Sequence, residues 1–220
     1  MEKTLAFLKK LKANNNKEWF DANKEKYLEA KDEYAELVTK LISGIRGFDK
    51  KISADLQAKD CMFRIYRDVR FSKDKKPYKT NMGASIDPGG KKSLIAGYYL
   101  HTEPGASFLA GGVYMPEGPM LQSIRQEIDY NPEPLLKLMK AASFKKFFKG
   151  LDEEDKLKTV PKGFDKTHPH IELLKNKHFL VSHKLSDKDL TDKNASKKIL
   201  EGFKAMHPFL EYLRQAQGLE

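Results

Sequence analysis

The chain has very little cysteine and no long apolar stretch. Cys61 is the single cysteine among 220 residues, so an intrachain disulfide is excluded, and with it a small secreted disulfide scaffold. No apolar run approaches the roughly 20 residues that a membrane-spanning helix needs. Residues 1–11 predict an amphipathic helix rather than a signal peptide. We therefore expect a soluble, cytoplasmic protein with no membrane partner.

Established catalytic and nucleotide-binding motifs are also missing. Residues 72–75 match the pattern S-x-x-K, but the K-T-G element that accompanies it in serine–lysine hydrolases is absent. Residues 89–93 resemble a phosphate-binding loop, yet Ser85 stands where that loop requires its first glycine. The motifs therefore name no reaction and no cofactor, and whether the chain is an enzyme stays open.

The periodicity of the apolar residues predicts an α+β protein. A helical period covers residues 3–12 and 17–46. Aromatic and branched residues then dominate four segments that turn residues separate, and these predict strands over 62–71, 78–87, 93–102 and 106–115. Their connections are too short for crossover helices, so the strands should run antiparallel. The rest of the chain predicts helices over 119–129, 133–140, 144–149, 168–175 and 195–216, and strands over 157–161 and 178–183.

These elements predict one architecture. No repeat or low-complexity linker divides the chain, and 220 residues are within the range of one compact domain. We therefore expect a single domain over residues 1–220. It should be a central antiparallel β-meander packed by N-terminal and C-terminal helices.

Positive charge is concentrated in one segment. The net charge is +10, and residues 59–92 hold ten Lys or Arg against four Asp or Glu, a net +6. The closely spaced arginines Arg64, Arg67 and Arg70 lie here. Arginine offers planar paired donors for carboxylate or phosphate, and Lys79 adds a point charge. The sequence therefore predicts that these four residues bind an anion.

Strand alternation singles out Arg67 within this segment. In a strand, Arg67 shares a face with Phe63, Ile65, Val69 and Phe71, where a charge is costly unless it is compensated. We therefore expect a carboxylate beside Arg67, with Glu103 as the first candidate, or a pocket that takes an anion. Arg64 and Arg70 lie on the opposite face and join Arg67 only if the chain bends near residues 68–72.

His101 and Glu103 are the candidate proton-transfer residues. They are two residues apart at the end of a predicted strand, so their side chains point to one face. The pair could act as acid and base, could supply two metal ligands, or could be a satisfied polar strand end. No third ligand is close in sequence, so we predict no metal site.

Two blocks of the sequence resemble a known family. They are residues 63–84 (FRIYRDVRFSKDKKPYKTNMGA) and residues 99–116 (YLHTEPGASFLAGGVYMP), and residues 161–184 support them. The chain resembles the domain-of-unknown-function family 2461 over nearly its whole length. The resemblance implies a cytosolic stand-alone domain, and it suggests that the blocks around Arg64–Lys79 and His101–Glu103 belong together. It carries over no catalytic residue.

Three functions remain open from the sequence. The first is binding of a small phosphorylated or carboxylated ligand through the basic segment. The second is a nucleic-acid-binding module in which Tyr66, Phe71 and Tyr78 stack on bases. The third is a structural or interaction protein with buried arginine–acid pairs.

Overall fold

The computed structural model of the chain describes residues 1–218, apart from the side chain of Lys92. Three helices come first and a short fourth precedes the sheet: α1 (Glu2–Ala13), α2 (Lys17–Ala22), α3 (Lys24–Arg46) and α4 (Ala58–Cys61). The strands are β1 (Met82–Ile86), β2 (Gly97–Thr102), β3 (Ser107–Val113) and β4 (Phe179–Leu185), with a 3₁₀ turn at Gly90–Lys92. The remaining helices are α5 (Gly118–Tyr130), α6 (Glu133–Lys140), α7 (Ala142–Lys145), α8 (Ile171–Leu174), α9 (Asp187–Thr191) and α10 (Ala195–Ala216).

The four strands form one antiparallel sheet in the order β1-β2-β3-β4. The first three follow one another through short connections, as the two Pro-Gly turns predict. β4 pairs with β3 after an excursion that contains α5 to α8. The predicted α+β class, with a central meander flanked by helices, is confirmed.

The long N-terminal helix packs on the buried face of the sheet. The stripe of α3 that includes Ala30, Tyr34, Val38 and Leu41 is buried, as the 3.6-residue period predicts. The Tyr34 hydroxyl donates to the backbone oxygen of Leu100 in β2 over 3.1 Å. This bond gives the buried phenol a partner and fixes α3 against the strand.

The C-terminal helix also packs on the sheet. Phe203 of α10 meets Tyr98 of β2 with ring centroids 5.2 Å apart. A side chain at Gly111 of β3 would collide with the Met206 sulfur. The strand and the helix therefore approach closely at a position where only a hydrogen fits.

The chain divides into two compact units. Unit 1 consists of Met1–Ser93, Tyr99–Leu109 and Lys184–Glu201, and unit 2 consists of Leu94–Tyr98, Ala110–His183 and Gly202–Glu220. Strands β2, β3 and β4 and helix α10 each contribute residues to both units. The single-domain assignment stays a prediction.

The predicted strand over residues 62–71 is wrong. This segment makes only two isolated bridges, Met62 to Ala84 and Tyr66 to Tyr78. On the edge that faces away from residues 62–71, the backbone of Tyr78 bonds to the Asn15 side chain. Asn15 donates to the Tyr78 oxygen over 2.9 Å and accepts from its nitrogen over 3.1 Å. Pro77 also lacks the N–H group that a continuous ladder needs.

Other boundaries differ from the prediction. The predicted helix over 17–46 is interrupted at Asn23, whose backbone leaves the helical region and whose amide donates to the Trp19 oxygen over 2.9 Å. The predicted strand over 157–161 is absent from the described residues, since that segment is irregular. The predicted helices over 144–149 and 168–175 are shorter, at Ala142–Lys145 and Ile171–Leu174.

The single cysteine lies at the end of α4 and is fully buried. Burial raises the pKa of the Cys61 thiol to about 12. Within residues 1–218, no helix has both the length and the apolar character needed to cross a membrane.

Candidate functional site

The candidate site lies in unit 1, on the more exposed face of the sheet. Along β2, Tyr98 and Leu100 are buried, whereas Tyr99 and His101 are partly exposed. This is the alternation that a half-covered sheet requires. Phe108 of β3 lies beside His101, with stacked rings at 4.6 Å between centroids.

His101 is held by hydrogen bonds at both ring nitrogens. Nδ1 lies 3.1 Å from the Tyr99 hydroxyl and 3.4 Å from the Asn81 amide nitrogen. Nε2 lies 3.3 Å from a Glu103 carboxylate oxygen. Tyr99 and Asn81 offer donors to Nδ1 and Glu103 offers an acceptor to Nε2, so these contacts fit the tautomer with its proton on Nε2. The single lone pair of Nδ1 is then shared between the two donors.

Glu103 gathers three donors. Its carboxylate accepts from the Lys12 ammonium over 3.3 Å, from the Thr80 hydroxyl over 3.1 Å and from His101. Burial raises the pKa of this carboxyl, but the hydrogen bonds from His101, Lys12 and Thr80 outweigh burial and lower it. Glu103 is thus ionised at neutral pH and orients the imidazole.

Tyr99 completes this arrangement. Its side chain crosses Gly83 of β1, where an added Cβ would lie 2.7 Å from the Tyr99 oxygen. Burial raises the pKa of the phenol to about 12. The hydroxyl therefore stays protonated at neutral pH and can donate to His101 Nδ1.

The Lys79 ammonium lies at one end of the site. Phe63 packs edge-on against Tyr99 with centroids 6.3 Å apart, and the Lys79 ammonium lies 5.5 Å from the Phe63 ring centre. Burial lowers the pKa of Lys79, and the charge of Arg64 lowers it further. Within the described part of the chain, neither Lys79 nor Arg64 forms an ion pair, although Arg64 acts at longer range on Asp68.

Arg67 and Arg70 are placed differently. An Arg67 guanidinium nitrogen lies 2.7 Å from Asp74 and also donates to the Lys76 oxygen over 3.1 Å. Arg70 makes a two-point contact with Asp68, at 3.0 and 2.7 Å. The carboxylate predicted beside Arg67 is present, but its predicted identity, Glu103, is wrong. Sequence reasoning missed Asp74 because it placed Arg67 in a strand, whereas a loop folds back on this arginine.

The predicted apolar face around Arg67 is also wrong. Ile65 is 3% exposed, but Phe63 is 39% and Phe71 is 95% exposed. Because the segment is not part of a continuous ladder, its side chains do not alternate between a buried and an exposed face. Its arginine–acid pairs are accordingly solvent-accessible, while the buried arginines Arg125 and Arg214 lie elsewhere in the chain.

Of the three aromatic residues predicted to stack on bases, one is unavailable. Tyr78 is 4% exposed and stacks on Phe20, with centroids 4.0 Å apart. Tyr66 is 46% exposed, and Phe71 projects almost fully into solvent.

The structure adds four residues to the predicted site: Lys12, Thr80, Asn81 and Tyr99. Tyr99 could have been found from the sequence, since it lies two residues before His101 and shares its strand face. Lys12 comes from a different helix, and no local pattern links it to Glu103. Its ammonium contacts one carboxylate oxygen of Glu103, and His101 contacts the other.

The family to which the chain belongs follows from a comparison of its sequence with family models. The model described as "Conserved hypothetical protein (DUF2461)" matches residues 3–212. No curated protein and no solved structure matches the chain. Since the family match spans nearly all of the 220 residues, the chain belongs to the DUF2461 family of conserved hypothetical proteins.

Proposed function

We propose that the chain binds a small phosphorylated or carboxylated ligand at the site formed by Arg64, Lys79, Tyr99 and His101. Arg64 and Lys79 hold the anionic group. His101, oriented by Glu103, is the nearest group able to accept or return a proton. Arg67 and Arg70 contribute less, because each already has a carboxylate partner.

The pairing of Arg64 with Lys79 carries this proposal. Burial is the main cause of the lowered pKa of Lys79, and the positive charge of Arg64, which is unfavourable beside another cation, lowers it further. The other arginines of the segment have acids beside them, whereas this pair has none within ion-pair distance among residues 1–218. An anion between them would supply the missing charge.

The neighbouring histidine, His101, is a group that could transfer a proton to or from the bound ligand. His101 Nδ1 is shared by the Tyr99 hydroxyl and the Asn81 amide, and the opposite nitrogen contacts Glu103. A base held by a carboxylate, next to a hydroxyl, is the arrangement used for general acid–base catalysis. A reaction at this site would be one that moves a proton near an anionic group.

The test uses inorganic phosphate, followed by a panel of sugar phosphates, nucleotides and dicarboxylates. Isothermal titration should show one saturable site per chain. Lys79→Met and Arg64→Gln should each weaken phosphate binding by about tenfold or more, the effect of losing one charge-assisted hydrogen bond. Arg70→Gln is the matched control, since Arg70 is exposed and paired with Asp68, and it should change the affinity little.

The NMR chemical shift of the Lys79 side chain provides a second measurement. A bound anion should raise the pKa of Lys79 toward its ordinary value of 10.5. If phosphate and the panel leave this pKa unchanged at millimolar concentration, or if Arg70→Gln weakens binding as much as Lys79→Met, the proposal is wrong.

Binding of single-stranded nucleic acid is the second candidate, and the exposure of Phe71 favours it. Phe71 is 95% exposed, and the Arg70 guanidinium lies 5.9 Å from its ring centre. An exposed ring beside a cation is the pairing that stacks on bases and contacts phosphate. Binding through about six phosphates should weaken roughly 10³-fold between about 50 and 200 mM salt, whereas a small-ligand site should respond much less. Phe71→Ala should weaken only the nucleic-acid mode.

We also propose a cytoplasmic location, because the single cysteine, Cys61, is buried and unpaired, which fits a reducing compartment.

A further inference from the structure

A pocket separate from the anion site lies in unit 1, where α1, α2 and α3 meet. Its volume is about 140 Å³, and its walls include Phe7 of α1 and Trp19 of α2. None of its lining residues takes part in the site around His101. The pocket therefore needs its own explanation.

The apolar wall of the pocket is aromatic. The rings of Phe7 and Trp19 have centroids 5.9 Å apart and are inclined at 34°. Tyr27 does not line the pocket but packs behind Phe7, with ring centroids 5.7 Å apart. Phe7 is buried and Trp19 is half-buried. Trp19 therefore presents part of its indole to whatever enters the pocket, and aromatic rings favour inclined or offset ring partners.

The rim of the pocket carries uncompensated positive charge. Lys3, Lys10 and Lys26 line it, together with Glu29. Glu29 pairs with Lys3 over 3.0 Å, and the Lys26 ammonium donates only to the neutral side chain of Asn23, over 3.2 Å. Lys10 has no carboxylate partner within residues 1–218. Two ammonium groups thus border an aromatic wall without a counter-charge.

The size of the pocket limits what can fill it. An apolar cavity of about 150 Å³ holds one benzene ring, and the volume here, about 140 Å³, is close to that. A fused purine or a nucleotide would extend beyond this volume into solvent. One ring with one anionic substituent satisfies the volume, the aromatic wall and the charge at the rim together.

We infer that this pocket binds a monocyclic aromatic carboxylate. The ring packs against Trp19 and Phe7, and the carboxylate meets Lys10 and Lys26. The inference is independent of the proposed function, which concerns the anion site at Arg64 and Lys79.

The sole tryptophan of the chain, Trp19, makes the inference directly measurable. Benzoate is the probe, and its addition to the full-length protein should change the Trp19 emission and reach saturation. Benzyl alcohol has the ring without the charge, and acetate has the charge without the ring. Each should bind at least about fivefold more weakly, because each loses one of the two recognition elements.

Three substitutions test the location. Lys10→Gln and Lys26→Gln should each weaken benzoate binding by up to about fivefold, the range for a solvent-accessible ion pair. Ala6 also lines the pocket and is exposed on α1. Ala6→Leu keeps a good helix former and fills the space, so it should abolish the saturable change while circular dichroism stays native.

Two controls separate this pocket from other effects. Lys9→Gln removes a lysine of the same helix that does not line the pocket, and it should leave benzoate binding unchanged. Lys79→Met should also leave it unchanged, whereas the Lys10→Gln/Lys26→Gln double variant should leave phosphate binding intact.

Three results would overturn the inference. They are a Trp19 emission that does not saturate with benzoate, binding that survives Ala6→Leu, and equal losses from Lys9→Gln and Lys10→Gln. The first would show that benzoate has no specific site at Trp19, and the other two would show that any benzoate effect arises outside the pocket.

Discussion

At the scale of single residues, Glu103 links parts of the chain that are distant in sequence. Its carboxylate accepts hydrogen bonds from Lys12 of α1, Thr80 before β1 and His101 of β2. Its side chain is only 20% exposed, so these bonds are partly shielded from water. They should contribute both to folding and to the orientation of His101.

Glu103→Gln should lower the free energy of unfolding by about 1–2 kcal/mol at neutral pH, because hydrogen bonds to a charged group are lost. The pKa of Glu103 is lowered below its ordinary value of 4.5, so its contribution is complete above that value. The contribution is lost as the pH falls through the lower folded pKa. Urea denaturation at a series of pH values should show the difference between the variant and the wild type shrinking as the pH falls below 4.5.

The control is Glu36→Gln, which changes an exposed carboxylate on α3 and should shift the midpoint little at any pH. A Glu103→Gln difference that persists unchanged in acid would contradict a role for the ionised carboxylate.

Arg67 should prove a local stabiliser rather than a buried charge. Its guanidinium side chain is 27% exposed and its partner Asp74 is 54% exposed, so water screens the pair. Arg67→Met should therefore lower the thermal midpoint less than Glu103→Gln does. A larger loss, measured by differential scanning calorimetry, would indicate that the pair is shielded from solvent.

At the scale of elements, the pairing of β3 with β4 depends on one glycine. Gly112 has φ +130°, and an added Cβ would collide with the backbone oxygen of Phe179. Backbone cannot move aside as a flexible side chain can. Gly112→Ala should therefore destabilise the fold by about 2–4 kcal/mol through combined clash and strain, or prevent folding.

Gly118→Ala provides the contrast. Gly118 begins α5, and an added Cβ there meets no atom within 4 Å. Alanine at this position should be neutral or slightly stabilising, because it restricts the unfolded chain. Guanidinium denaturation of both variants checks the pair, and similar losses would contradict the assigned contact between Gly112 and Phe179.

The elements also show what the sequence could predict. The helical period of α3 and α10 and the two Pro-Gly turns are local signals, and the structure confirms the elements they predict. Residues 62–71 have the composition of a strand, but they make only two isolated bridges. Pro77 in the facing segment accepts a hydrogen bond from the Arg67 N–H but has no N–H of its own to return one, and the composition of residues 62–71 does not show this.

The same distinction holds for the candidate site. The spacing of His101 and Glu103 predicts their shared face, and the structure joins them at 3.3 Å. The four predicted cations could not be separated from the sequence, because their roles depend on where Asp68 and Asp74 lie in space. The spatial positions of these two carboxylates, rather than the composition of the segment, determine which cations form ion pairs and which do not.

At the scale of the whole molecule, the division into two units raises the question of cooperativity. Strands β2, β3 and β4 and helix α10 each contribute residues to both units. These three strands are therefore complete in neither unit alone. We expect one unfolding transition. Circular dichroism and Trp19 fluorescence should give the same midpoint, and the calorimetric and van't Hoff enthalpies should agree. Two separated transitions would show that the units are independent domains.

The burial of Cys61 makes its rate of chemical labelling a measure of local unfolding. The thiolate is the form that attacks thiol-labelling reagents, and a fully buried thiol with a pKa of about 12 offers almost no thiolate while the fold is closed. The rate of labelling by such a reagent therefore depends on how often the chain around α4 opens. When reclosing is fast, that rate divided by the rate for an unfolded thiol gives the equilibrium between closed and open forms. The local stability around α4 can thus be measured in the native protein without denaturant and without an engineered cysteine.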